Sequence, residues 1–167
     1  SNYYYKKNGI NVPINSIAPI KENWLMLGTA EGILLFDIKK ECFLNDTLPS
    51  LHLLKPTVLV RQGEYIYIGA EDGLFMYDAK TKELKNYRYE SEQSGLNSNY
   101  VRSLELDTEN RLWVGTYSGL NIYKEATDNF SSIKSSEIQE GSLSQNSVRS
   151  IFKDSQGGMW LGTYWGG

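Results

Sequence analysis

Few side chains in this 167-residue chain have the types and spacing that chemistry requires. One histidine, His52, and one cysteine, Cys42, cannot assemble a transition-metal cluster, and a lone cysteine forms no internal disulfide. His52 sits among Leu51, Leu53 and Leu54, a structural or surface setting, and Cys42 reads as a small apolar residue on a strand. No Gly-x-Ser-x-Gly elbow, phosphate loop or His-Glu-x-x-His is present. Asp37 and Asp78 occupy matching places and could be imagined as an acid/base pair. Lys124 stands at the next equivalent place, so turn roles are expected for both, as for Glu71-Asp72 and Glu109-Asn110. The segment is therefore not expected to be an enzyme, and no metal or cofactor is implied.

Binding chemistry is better represented. Tyr117, Tyr164 and Trp165 lie in short polar loops, with Ser118, Glu71, Asp72 and Asn97 to Tyr100 in related segments. Aromatic rings beside amides and carboxylates suit a carbohydrate, whose CH faces stack while its hydroxyls take paired hydrogen bonds. Arg102 and Arg149 recur 47 residues apart and could hold an acidic group on such a ligand. The competing reading is that Tyr117 and Tyr164 only cap neighbouring structural units.

The elements that must position these residues come from a fourfold repeat. An apolar strand ends in Gly, and four residues later a second Gly opens another apolar strand. The pairs are Gly28 and Gly32, Gly69 and Gly73, Gly115 and Gly119, and Gly162 and Gly166. The first glycines are 41, 46 and 47 residues apart (28 to 69, 69 to 115, 115 to 162). A further strand starts eleven residues past the second Gly, at Phe43, Leu84 and Phe130. Val101–Leu106 and Val148–Lys153 read as a strand before each of the last two copies, followed by polar turns at 107–110 and 154–157. In the first two copies, Pro19 and Ile20 are expected in that turn, and Arg61-Gln62-Gly63 shortens it.

Four short strands per copy at this period predict an all-β fold, a β-propeller of four-stranded antiparallel blades. The expected blades are 13–47, 55–90, 98–134, and 145–167 completed by 1–8, since residues 2–6 look like the strand that the fourth copy lacks. Three readings of the ends stay open: a small ring closed in cis, a piece of a larger propeller, or two copies completing each other. The glycines are assigned to positive φ and close backbone approach. Trp113, Trp160 and Tyr67 are assigned as wedges between blades. Loops joining the second and third strands, and those between blades, gather on one face of a propeller. Tyr117, Tyr164 and Trp165 fall there, and Arg102 and Arg149 are expected to point toward the central channel. Asp-Ala-Lys-Thr81 after the third strand of copy two suggests a quinoprotein-like blade, but copies three and four lack that turn. No Trp-Asp dipeptide occurs, which excludes the WD type.

Bulk properties narrow the partners. A 40% hydrophobic and 13% aromatic chain is globular, and a net charge of −3 gives no footprint for nucleic acid. The longest apolar runs are four or five residues, so no membrane segment is expected, and no secretory signal is seen. The sequence opens in mid-pattern, which suggests that a natural start has been lost.

The segment from Asn146 through Asp154, Gly157, Trp160 and Thr163 to Gly167 resembles the two-component regulator propeller repeat. The segment from Ser98 through Asp107, Trp113, Thr116 and Gly119 to Asn121 resembles it nearly as well. That resemblance implies a periplasmic sensor propeller of hybrid two-component systems of the Bacteroidetes type. It further implies recognition of an oligosaccharide or other polar ligand, relayed to a histidine kinase elsewhere in the chain. Other propeller blades or a second copy would be its protein neighbours. The alternative is an interaction scaffold, quinoprotein-like or of the assembly-factor type, with no small-molecule ligand.

Overall fold

The computed structural model describes residues 12–44, 51, 54–91, 94–138 and 141–165. His52, Gly166, Gly167 and the amino-terminal strand expected over residues 2–6 lie outside the described residues. Three four-stranded antiparallel sheets follow one another along the chain. The first comprises β1 (Ile14–Lys21), β2 (Trp24–Thr29), β3 (Gly32–Asp37) and β4 (Cys42–Phe43). The second comprises β5 (Pro56–Gln62), β6 (Tyr65–Ala70), β7 (Gly73–Asp78) and β8 (Leu84–Tyr87). A small ribbon of β9 (Tyr89–Ser91) and β10 (Ser94–Gly95) leads to the third. That sheet holds β11 (Val101–Leu106), β12 (Leu112–Thr116), β13 (Gly119–Lys124) and β14 (Asn129–Ile133). A final pair, β15 (Val148–Lys153) and β16 (Met159–Thr163), begins a fourth sheet.

Within each sheet the strands meander in chain order, and the first strand is innermost. β1 packs on β5, β5 on β11, and β11 on β15, while no comparable contact joins β1 to β15. The inner strands of the described residues thus form an open arc of propeller blades.

Burial explains why the second strands read as apolar runs. In β6, Ile66 and Ile68 enter the core shared with the first sheet, and Tyr67 enters the core shared with the third. Both faces of a central blade are covered, so alternation is between two apolar interfaces rather than between core and water. Met26, Leu35 and Ala18 complete the first interface, and Leu104, Leu112 and Val114 the second.

The two glycines of each repeat do different work. Gly32, Gly73 and Gly119 open the third strands with φ of 140°, 130° and 137°, a region L-residues rarely enter. The glycines closing the second strands have no positive φ; theirs is a packing role. A Cβ on Gly28 would lie 2.7 Å from Pro56, one on Gly69 2.6 Å from Val101, and one on Gly115 2.8 Å from Val148. Each of those partners heads the inner strand of the next blade. The bare glycine is the notch into which the next blade fits.

Two expectations are corrected. Pro19 and Ile20 lie within β1, and the turn that follows falls at residues 22–23. Proline is accommodated because β1 is an edge strand of its sheet, where a missing N–H breaks no ladder, and the register shifts beside it. Of the aromatic wedges, Tyr67 is a core residue and Trp113 is only half-buried, while Trp160 lies on a face with no described neighbour. No described element covers the face of the last sheet that carries Trp160 and Phe152.

Gly69→Ala is expected to destabilise the fold by about 2 kcal/mol, the usual range for overpacking against backbone-anchored neighbours. Gly63→Ala, with φ of +58° but nothing within 4 Å, should lose only about 1 kcal/mol. Urea unfolding followed by tryptophan fluorescence compares the two, and equal losses would remove the notch as a stability determinant.

Candidate functional site

Antiparallel meanders place the β2–β3, β6–β7 and β12–β13 turns at one end of the blades, together with the connections from one sheet to the next. The β5–β6 and β11–β12 turns lie at the opposite end. All five predicted ligand contacts fall into two clusters at the first end.

Arg102, the second residue of β11, holds its guanidinium 4.9 Å from the ring centroid of Tyr100 and 4.9 Å from that of Tyr117. One guanidinium N–H donates to Ser147 Oγ at 2.7 Å. One blade on, Arg149 lies 5.0 Å from the ring of Tyr164, which meets Trp165 edge to face at 5.1 Å. The backbone repeats as well: the Tyr117 N–H donates to the Tyr100 carbonyl, and the Tyr164 N–H to the Ser147 carbonyl, both at 3.1 Å. Ser147 therefore joins the two clusters, through its hydroxyl to Arg102 and through its carbonyl to Tyr164.

Tyr117, Tyr164 and Trp165 are 58%, 52% and 70% exposed, so none is a buried cap between blades. One face of each tyrosine is occupied by an arginine, an attraction of cation to ring quadrupole worth about 0.5–1 kcal/mol at exposed sites. A guanidinium held against a ring keeps N–H groups that suit carboxylate or sulfate oxygens. A depression of about 570 Å³ adjoins this end, lined by Glu71, Tyr89, Asn99, Tyr100, Ser118 and Lys134. Tyr100 belongs to both the depression and the Arg102 cluster.

The loops are held by residues that a search for chemistry passes over. Thr116 Oγ1 accepts the Ser118 N–H at 3.1 Å and lies 3.0 Å from the Gly119 carbonyl and 2.6 Å from Asn97 Oδ1. Thr29 closes its own turn through Glu31 and Gly32 in the same way. The signal was present as Gly-Thr in three copies, at 28–29, 115–116 and 162–163. Asn121, fully buried, donates to Asn97 Oδ1 at 2.7 Å and accepts the Asn97 N–H at 3.0 Å, fixing the connection that carries Tyr100.

At the other end, aspartates organise the turns. Asp107 is 4% exposed, and Oδ1 accepts the N–H groups of Glu109 and Arg111 at 2.9 and 2.8 Å. Its Oδ2 accepts from Arg111 Nε at 2.6 Å and from the Trp113 indole at 2.9 Å. Asp154 repeats this with Gln156, Gly158 and Trp160. The strand-two tryptophans are thus tied by their N–H to the preceding turn. Burial alone would raise the Asp107 carboxyl, but the Trp113, Arg111 and Glu109 donors together hold it below its ordinary value. Asp128, bonded to Lys85, Tyr87 and Tyr123, is lowered to about 2.

Stacked four-stranded antiparallel sheets around an inner row of strands define a β-propeller, and the chain has that architecture. The two component regulator propeller family model matches the chain at residues 95–118 and 142–165. Each match runs from the inter-blade connection through strands one and two to the tyrosine loop, the segment that builds the arginine–tyrosine clusters. Among solved structures, the chain is similar to the extracellular domain assigned to a hybrid two component system of B. thetaiotaomicron. Identity is 24% and TM-score 0.77, over 96% of this chain and 21% of that one. A second such domain from the same organism is 21% identical with a TM-score of 0.71, over 98% of this chain and 22% of that one. The WD40 β-propeller domain of Doa1 is 15% identical with a TM-score of 0.66, over 90% of this chain and 48% of that one. The chain spans about a fifth of the length of the B. thetaiotaomicron domains. No curated protein sequence matches it. Among the described residues, no helix is long and apolar enough to cross a membrane.

A carboxyl whose folded value is lowered adds stability that is full above its ordinary value, 3.8, and fades as pH falls through the lowered one. Asp107→Asn is therefore expected to destabilise by about 2 kcal/mol at pH 7, with the gap to the unaltered chain closing toward pH 2. Urea melts across that range measure it; a gap independent of pH would mean that the carboxylate charge contributes nothing.

Proposed function

We propose that this chain is part of an extracytoplasmic sensor propeller of a two-component regulator. Its tyrosine-loop end takes a polar oligosaccharide bearing an acidic group. The observation that carries the reading is the Arg102 guanidinium held between Tyr100 and Tyr117, with the Arg149–Tyr164–Trp165 cluster beside it. A flat, pre-oriented cation flanked by exposed rings supplies both elements of acidic-sugar recognition: paired hydrogen bonds to a carboxylate and stacking surface for CH faces. The repeat match, and the likeness to extracellular domains of B. thetaiotaomicron hybrid two component systems, support the sensor setting. Signalling then requires the ligand to prefer one of two arrangements of the propeller against its neighbours, with a histidine kinase elsewhere in the longer protein reading the difference.

A second reading is an assembly or scaffold role, in which the ends of the arc meet a further blade or a second copy. On the last sheet Phe152 and Trp160 are 62% and 65% exposed. At the other end of the arc, Ile14 holds the place that Pro56, Val101 and Val148 hold in their blades. A further blade or a second copy would fit these two ends.

A thermal-shift screen against matched neutral and acidic oligosaccharides tests the first reading. An acidic ligand is expected to raise the melting midpoint by mass action. Arg102→Ala and Trp165→Ala should each weaken binding about tenfold, roughly 1.4 kcal/mol, with the fold retained. Equal affinity in both variants would eliminate this site. A concentration-dependent dimer that no glycan affects would favour the scaffold.

A further inference from the structure

The opposite end of the blades carries a separate cleft. It has a volume of about 680 Å³ and lies between the second and third sheets, bounded by the β5–β6 and β11–β12 turns and by the chain following β7 and β13. Its charged lining is Glu64, Asp78, Glu109 and Glu125 against Lys80 and Arg111. Several of these charges are already committed. Asp78 Oδ1 accepts the N–H groups of Lys80 and Thr81 at 2.7 and 3.1 Å. Arg111 is held by Asp107 at 2.6 Å and Glu109 at 3.4 Å. The carboxylates of Glu64 and Glu125 make no hydrogen bond or ion pair among the described residues, so the cleft presents uncompensated negative charge from two sides.

Tyr67 provides an independent sign that the cleft is built for a ligand. Its side chain is only 3% exposed, lines the cleft, and finds no hydrogen-bond partner for its hydroxyl among the described residues. The hydroxyl opens onto the cleft, so its hydrogen-bond partner is whatever fills the cleft. Burial raises the Tyr67 hydroxyl above its ordinary value, and the neighbouring Tyr123, Glu125 and Tyr65 raise it further. It therefore stays a neutral hydroxyl whose oxygen can accept a hydrogen bond from a ligand's N–H. Tyr65 and Tyr123 add ring surface to the same walls.

We propose that this cleft binds an aliphatic polyamine. Among the described residues no three acidic side chains converge closely enough to hold a metal ion, so a compact cation has no cage here. Carboxylates on separate walls instead match ammonium groups spaced along a chain, with the methylenes between them lying on tyrosine rings. The neutral Tyr67 hydroxyl accepts one ammonium N–H inside the cleft. The site lies at the other end of the blades from the arginine–tyrosine clusters, so it is independent of the glycan reading.

Isothermal titration of the whole chain with spermidine tests the proposal, with 1,4-butanediol as the uncharged control. Spermidine is expected to bind and the diol not to. The double variant Glu64→Gln/Glu125→Gln should lose about tenfold in affinity. Tyr67→Phe should lose severalfold while its melting midpoint is unchanged or raised, because the hydroxyl has no partner to lose; a merely structural tyrosine would leave affinity untouched. Trp165→Ala should bind spermidine normally, which separates failure here from failure of the glycan site. Glu22→Gln, on the first sheet, controls for overall charge. Diol binding equal to spermidine, full affinity in the cleft variants, or an equal loss in Glu22→Gln would each overturn the proposal.

Discussion

Neighbouring blades meet where the backbone is bare. At the end of each second strand a glycine leaves room for the apolar residue that heads the next inner strand, Pro56, Val101 or Val148. A side chain at any of these glycines would collide both with that residue and with its own sheet, so spacing between blades is set by main-chain contact. Interiors are packed too densely to absorb such an atom without strain. Everything placed at the ends of the blades inherits its position from this contact. The Arg102 stack depends on it, because β11 and β15 must approach closely for the guanidinium to reach Ser147. The polyamine cleft depends on it too, because its walls belong to two successive sheets.

Polar side chains then fix what the packing leaves free. Asp107 and Asp154 gather the turn N–H groups and the indole of the tryptophan that follows, and Asn97 and Asn121 clasp the connection into the third sheet. Such buried groups are worth most when every lone pair and proton is matched. Asp128, reached by Tyr87 and Tyr123 from adjacent sheets, does the same on the outer side of the blades. Rigid loops at both ends are the result, and rigid loops lower the ordering cost of binding.

Because strand spacing repeats faithfully, the sequence-based reading located the strands, the paired glycines and the tyrosine loops. It erred where local composition and three-dimensional environment disagree. Pro19 looks like a turn residue but is tolerated in an edge strand. Trp113 looks like a core wedge but is only half-buried, with its indole anchored to Asp107. Arg102 and Tyr117 were both candidates, yet their sequence separation says nothing of stacking. Tyr100, the other half of that stack, stood out only as a loop residue, and Ser147, which joins the two clusters, carries no signal in a single chain.

The sequence by itself determined the blade. Period, paired glycines and apolar runs follow from local strand geometry and from burial on two faces, both of which are written in residue type and order. Only the tertiary structure decided which ring lies on which guanidinium. Tyr67 illustrates the difference. In sequence it is one aromatic among the strand-two positions, whereas in the fold it is 3% exposed and lines a cleft shared with Glu125 of the next blade. Contacts between sheets join residues 40 or more positions apart, as Arg102 to Ser147 and Tyr67 to Tyr123 show. Their geometry is set by how the blades stack, and no local pattern encodes that.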